Sequence, residues 1–147
     1  MPIRRDLLFL YETPEHQAAR EALVKRAKNR CQWCHKPNGQ FIRTRTDGKG
    51  HMFWAPYPDT GQLQRWFNKR GWPLRLEEFR LAISLPERII RVACTMAHLN
   101  HNPADDSEAN TRFLCQWDHL DHDRLHHHET RATRKDAARP VIQEATA

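Results

Sequence analysis

Residues 97–119 read AHLNHNPADDSEANTRFLCQWDH. Three histidines, an acidic loop, an asparagine and a cysteine share this short run. As ordinary core, so many polar side chains would each need a buried partner; the run reads as a site. The cysteines form a second pattern. Cys31 and Cys34 are spaced C-x-x-C, and Cys115 is followed three residues later by Asp118. Brought together, the two halves make a tetrahedral zinc site, with thiolates at about 2.3 Å and a carboxylate oxygen at about 2.0–2.2 Å. Spacing nominates Asp118 as fourth ligand, with His35, Cys94 or water as substitutes. Free buried thiols, or a redox pair at 31 and 34, are the competing explanation. Cys94 otherwise reads as a small core residue.

The elements that must position these residues follow from local signals. Thr13 as N-cap, Pro14 at the first helical position and Glu15 at the positive end of the dipole predict a helix over 14–30, with Ala18, Ala22, Leu23 and Ala27 near helical spacing. CQWCHKPNGQ (31–40) is a tight knuckle whose Asn-Gly pair predicts a short hairpin. Residues 41–75 carry turn signals, DGKG and PYPDTG, and a basic aromatic stretch without clean periodicity. A short helix is expected over 77–85, ending before Pro86. RIIRVACTMA (88–97) alternates, with Ile90, Val92, Cys94 and Met96 on one face, which predicts one strand leading into His98. A second long helix is expected from near Asp118 through 135, with a frayed tail beyond Pro140. No repeat or second domain is visible, so 1–147 is read as one domain with its core at about 14–135.

Four segments, RCQWC (30–34), AHLNHNP (97–103), NTRFLCQ (110–116) and DRLHH (123–127), resemble the HNH (His-Me finger) endonucleases, closest to small bacterial and phage proteins of the A-H-L-x-H-x-P type. The resemblance implies an α+β, ββα-metal fold with a zinc-knuckle staple and an N-terminal helix. It also implies metal-dependent hydrolysis of DNA phosphodiester bonds. His98 would be the general base, since a neutral imidazole with pKa near 6.5 suits proton removal at neutral pH. Asn110 would hold the His98 ring by a hydrogen bond. His119 and Asp123, four apart on one helical face with Cβ atoms about 6 Å apart, would chelate a divalent ion, Mg²⁺ or Mn²⁺, that stabilises the leaving 3′-oxygen. Ala97 stands where many relatives carry a further ligand; His101, Asp105 or Asp106 would compensate. One of His126, His127 and His128 is expected to matter, and Asp121 and His122 receive no role.

Composition agrees with such a partner. The net charge is +6 and the sequence pI about 9.5, which favours a polyanion, DNA first. Arg43, Arg45, Lys49, Arg65, Lys69, Arg70 and Arg75 lie among Phe53, Trp54, Trp66, Phe67 and Trp72, and Arg131, Arg134, Lys135 and Arg139 continue the series. Most of these aromatics are assigned to core packing, the rest to base stacking. Five Trp and six Phe suffice for a modest core. No apolar run reaches the ~18 residues of a membrane helix, and the N-terminus lacks the pattern of a signal peptide, so a cytoplasmic protein is expected. Two rivals remain: a non-catalytic zinc-stapled nucleic-acid-binding module of the same fold, and a protein-interaction module.

Overall fold

The computed structural model describes residues 7–57 and 65–137, the side chains of 134–137 excepted. The tail beyond Pro140, Arg139, and the side chains of Arg134 and Lys135 fall outside the described residues, as does most of PYPDTG. A single-turn helix, α1 (Leu8–Tyr11), precedes α2 (Pro14–Arg26). Thr13 caps α2: its Oγ1 accepts from the His16 backbone N–H at 3.2 Å, and Pro14 opens the helix. The helix ends four residues before the expected limit because Lys28 and Asn29 take left-handed conformations, φ 51° and 54°, which break the helical path.

The knuckle then closes on itself. Cys31 N–H donates to Lys36 O at 2.9 Å, and Arg30 bridges to Pro37. Four antiparallel strands follow, β1 (Phe41–Thr46), β2 (Met52–Pro56), β3 (Phe67–Asn68) and β4 (Glu87–Arg91), in the order β3-β2-β1-β4. The β1–β4 register pairs Thr44 with Arg88. The turn after β3 rests against the knuckle, and Gly71 permits the approach. Its φ is +82°, and a Cβ there would sit 2.4 Å from Cys34 O. Helix α3 (Leu76–Ser84) starts where Glu78 reaches back to accept from Arg75 N–H at 2.9 Å.

A second, two-stranded sheet pairs β5 (Cys94–His98) with β6 (Thr111–Cys115), Cys94 opposite Cys115 and His98 opposite Thr111. Helix α4 (Gln116–Ala137) begins at the residue after β6. The single strand expected over 88–97 is therefore two strands in two sheets. At the crossing, Val92 completes the first sheet's edge through Gln40 O and Gly39 N–H. Ala93 is gripped instead by Gln116, whose Oε1 accepts from Ala93 N–H at 2.9 Å and whose backbone N–H donates to Ala93 O.

The main core joins Leu23 of α2, Cys31 and Cys34 of the knuckle, Ile42 and Trp54 of the large sheet, and Phe113 and Leu114 of β6. A smaller cluster of Phe53, Ala55, Trp66 and Ala82 packs α3 on the large sheet. The architecture is α+β with antiparallel sheets, and no described helix is long and apolar enough to cross a membrane.

Candidate functional site

Among the described residues, three groups of side chains meet closely enough to share an ion. The first unites the knuckle with the end of β6 and the first turn of α4. Cys31, Cys34, Cys115 and Asp118 are all buried, with ligand atoms within 4.8 Å of one another. Cys31 Sγ lies 3.0 Å and Cys115 Sγ 3.3 Å from Asp118 Oδ2, and the sulfurs of Cys34 and Cys115 are 3.5 Å apart. Of the substitutes considered for the fourth position, His35 is exposed, has a left-handed backbone (φ 61°) and is not among the four clustered ligands. Cys94 packs behind Cys115, where burial pushes its thiol up to about 12.

The electrostatics of this group ask for a cation. Hydrogen bonds from Cys115 and Cys34 lower the Cys31 thiol; Cys34 is raised by its bonds to Cys115 and then Cys31, and Cys115 is pushed up to about 12 chiefly by its bond to Cys31. Burial raises Asp118. Four acidic groups this close repel one another when ionised, and a divalent ion among them would offset that charge. Lys36 provides an independent check. Its side chain is fully buried, its Nζ has no hydrogen-bond partner among the described residues, and it sits 5.6 and 5.5 Å from the ring centres of Trp54 and Trp117. A buried cation without an acceptor needs negative charge nearby. Three thiolates and a carboxylate around one divalent ion carry that excess, and the donor set suits zinc.

The second and third groups lie where β5 ends. α4 tracks back along β5. His119 Nδ1 is 2.8 Å from Thr95 Oγ1, and His122 Nε2 is 3.4 Å from His98 O. The chain then turns at His101, in a left-handed conformation (φ 58°) strained for a non-glycine residue. His101 N–H donates to His98 O at 3.0 Å. This brings the His101 ring onto α4, stacked 4.7 Å from His122 and 4.2 Å from His126. His101, His122 and Asp123 form the group able to hold an ion. Asp123 is the hub: His119 Nε2, His101 Nδ1 and His127 Nε2 stand 3.4, 3.5 and 3.7 Å from its oxygens. Burial lowers both His101 and His119, and the neighbouring imidazoles lower His101 further, which keeps their lone pairs available. So many imidazoles around one carboxylate suit Zn²⁺ or a late first-row ion such as Ni²⁺, whereas the Mg²⁺ or Mn²⁺ expected from the sequence prefers oxygen ligands.

His98 itself is held from the other side. Its side chain is 8% exposed, and its Nε2 is 2.8 Å from Asp106 Oδ1. The other oxygen of Asp106 is 2.8 Å from His16 Nδ1. Asn110 makes no hydrogen bond to the ring, where the sequence reading expected one. Its Nδ2 donates to Asp105 O at 2.7 Å and its Oδ1 accepts from Asn100 N–H at 3.0 Å. Asn110 thus shapes the loop that presents Asp106.

The sequence reading brought His98, His101, His119 and Asp123 to one place but missed His16 and His122. A signal existed for His16: it lies seven residues before Leu23, on the same inward helical face. Several expected phosphate contacts are committed elsewhere. Arg43 and Arg45 bind Glu87 at 2.8 and 2.9 Å over the Trp66 ring, and Lys69 pairs with Asp121 at 3.1 Å. Phe53, Trp54 and Trp66 are core, whereas Trp72 and Trp33 are exposed. Trp33 meets His122 edge-on at 5.8 Å and borders a cleft with Lys69, Arg70 and Trp72. No protein-family model matches this chain, and neither the curated proteins nor the solved structures contain a detectable relative.

Proposed function

We propose that this protein is a metal-dependent endonuclease of the HNH type that hydrolyses DNA phosphodiester bonds, with β5, β6 and α4 as its ββα-metal core and the Cys31–Cys34–Cys115–Asp118 group as a structural zinc site. One observation carries the reading: a clamped histidine at the end of a strand adjoins a cation-competent histidine–carboxylate cluster, its backbone oxygen 3.4 Å from His122 Nε2 and its ring within electrostatic reach of His119.

The chemistry follows from the bonding of His98. An ionised carboxylate only accepts hydrogen bonds, so Asp106 requires the proton of His98 on Nε2. Nδ1 is left with its lone pair and makes no hydrogen bond among the described residues. There it can take a proton from water as the water oxygen attacks phosphorus and the bond to the 3′-oxygen breaks. Asp123, His101, His122 and His119 would hold the divalent ion. When bound, it supplies positive charge for the phosphate and the departing oxygen. Trp33 and Trp72 would offer the flanking DNA a stacking surface, and Arg70 of the same cleft a phosphate contact.

The test is a supercoiled-plasmid assay with Mn²⁺, Zn²⁺ or Mg²⁺ against a chelator. Nicking with at least one of these ions and none with the chelator is expected; intact plasmid under every condition would refute the nuclease reading. Ala97 favours a second reading. It is buried in the core at 1% exposure, at the position that many HNH proteins use for a ligand. A non-catalytic zinc-stapled module would bind DNA in a salt-sensitive way and leave the plasmid uncut.

A further inference from the structure

We propose that His16, on the N-terminal helix, is a positioning residue for the base: it fixes Asp106, which in turn fixes the His98 ring. This inference rests on the nuclease reading for the reaction it serves, but its geometry stands apart from it. Asp106 accepts at 2.8 Å from His98 Nε2 on one oxygen and at 2.8 Å from His16 Nδ1 on the other. With one such bond alone, a carboxylate can still swing about its side-chain torsions. A second donor from a separate element removes that freedom. His16 is 5% exposed and is itself confined, its ring meeting Tyr11 edge-on at 5.0 Å and its backbone N–H bound to Thr13 Oγ1.

The helix that carries His16 is tied to the loop that carries Asp106. Arg26 reaches Glu108 O and Thr111 O at 3.3 and 3.2 Å and the Glu108 carboxylate at 2.8 Å. Asn100, Asp105 and Asn110 brace the same loop from within. His16, Asp106 and His98 are also close enough to share an ion. The distances favour hydrogen bonding, since each nitrogen already stands at the length of an imidazole–carboxylate bond to its own oxygen.

The experiment uses the full, zinc-loaded chain and the variants His16→Ala, His16→Asn and Asp106→Asn. Two quantities are read: the His98 tautomer by ¹⁵N–¹H correlation of the imidazole, and kcat and KM for plasmid nicking. Wild type should show a single Nε2–H tautomer. His16→Ala should give a mixture and lower kcat about tenfold, with KM and zinc content within about twofold. His16→Asn, which keeps an N–H donor near the position of Nδ1, should restore most of both. In an Asp106→Asn background, His16→Ala should cost less than about twofold more, because the link is already cut.

An unchanged tautomer and kcat in His16→Ala would overturn the inference while leaving the nuclease reading intact. So would an effect on KM or folding alone, failure of His16→Asn to rescue, or a metal ion found between His16, His98 and Asp106. A wild type that cuts nothing, yet shows the tautomer shift in His16→Ala, would sink the nuclease reading and keep the positioning role.

Discussion

Lys36 is the residue whose environment most needs an explanation. A side chain with four methylenes and a cationic head is enclosed between two tryptophans, within electrostatic reach of Cys34 and Cys94. The ring faces attract a cation, and its charge acts to lower the neighbouring Cys34 thiol. Lys36 therefore belongs with the ligand group electrically while binding nothing itself. Lys36→Met keeps the length and the apolar stem but removes the charge. It should weaken zinc binding about tenfold or more in a chelator competition, with the fold retained at saturating zinc. Equal affinity in both proteins would detach Lys36 from the site. The ligands were legible in the sequence because C-x-x-C and C-x-x-D state their own spacing. Lys36 was not: nothing in CHKPNGQ separates a buried lysine from the solvated one expected in a turn.

At the scale of elements, Glu87 shows how the large sheet is held. It opens β4 and receives Arg43 and Arg45 from β1, the latter also donating to Ala82 O, Ile83 O and Leu85 O at the end of α3. Those arginines hold the Glu87 carboxyl below its ordinary value of 4.5. A depressed folded-state pKa adds stability above the unfolded value, and that stability is lost as pH falls through it. Glu87→Gln should accordingly cost about 0.5–1 kcal/mol at neutral pH. The difference from wild type should shrink below about pH 4.5, read by thermal melts across the range. A difference that persists unchanged into acid would contradict the ion-pair account. The sequence hid this arrangement because FIRTRT reads as a basic, solvated run until its partner strand is known. The same limit merged β4 and β5. Alternation at residues 90, 92, 94 and 96 continues across the crossing at Ala93, so side-chain periodicity carries no mark of the change of sheet. By contrast α2 announced its start through Thr13 and Pro14, since capping is chemistry local to the sequence.

For the whole molecule, the Cys31–Cys34–Cys115–Asp118 group, which could hold a metal ion, joins parts distant in sequence. The knuckle at 31–34, the end of β6 and the first turn of α4 meet there and in the core around it, with Gln32 and Phe113 exchanging hydrogen bonds beside them. Removing the ion leaves buried acids that cannot all ionise, so much of the folding free energy should be linked to metal. Treatment with a strong chelator should lower the melting temperature by about 10 °C or more, reversibly on return of zinc. A melt indifferent to chelation would mean that the cysteines are ordinary core. The juxtaposition of β5 with α4 was legible because AHLNHNP and DRLHH could be matched as units. The His16–Asp106 clamp was not, because it joins an N-terminal helix to a loop ninety residues away in the chain, a contact that only the packed fold creates.

The central claim is that His98, clamped through Nε2, removes the proton from the attacking water. Its most direct test compares His98→Ala with wild type under single-turnover conditions on supercoiled plasmid, at matched zinc content and matched thermal stability. The account predicts a loss of nicking of about 10²-fold or more with unchanged DNA binding. Nicking by His98→Ala at the wild-type rate, from protein freed of contaminating nuclease, would contradict it.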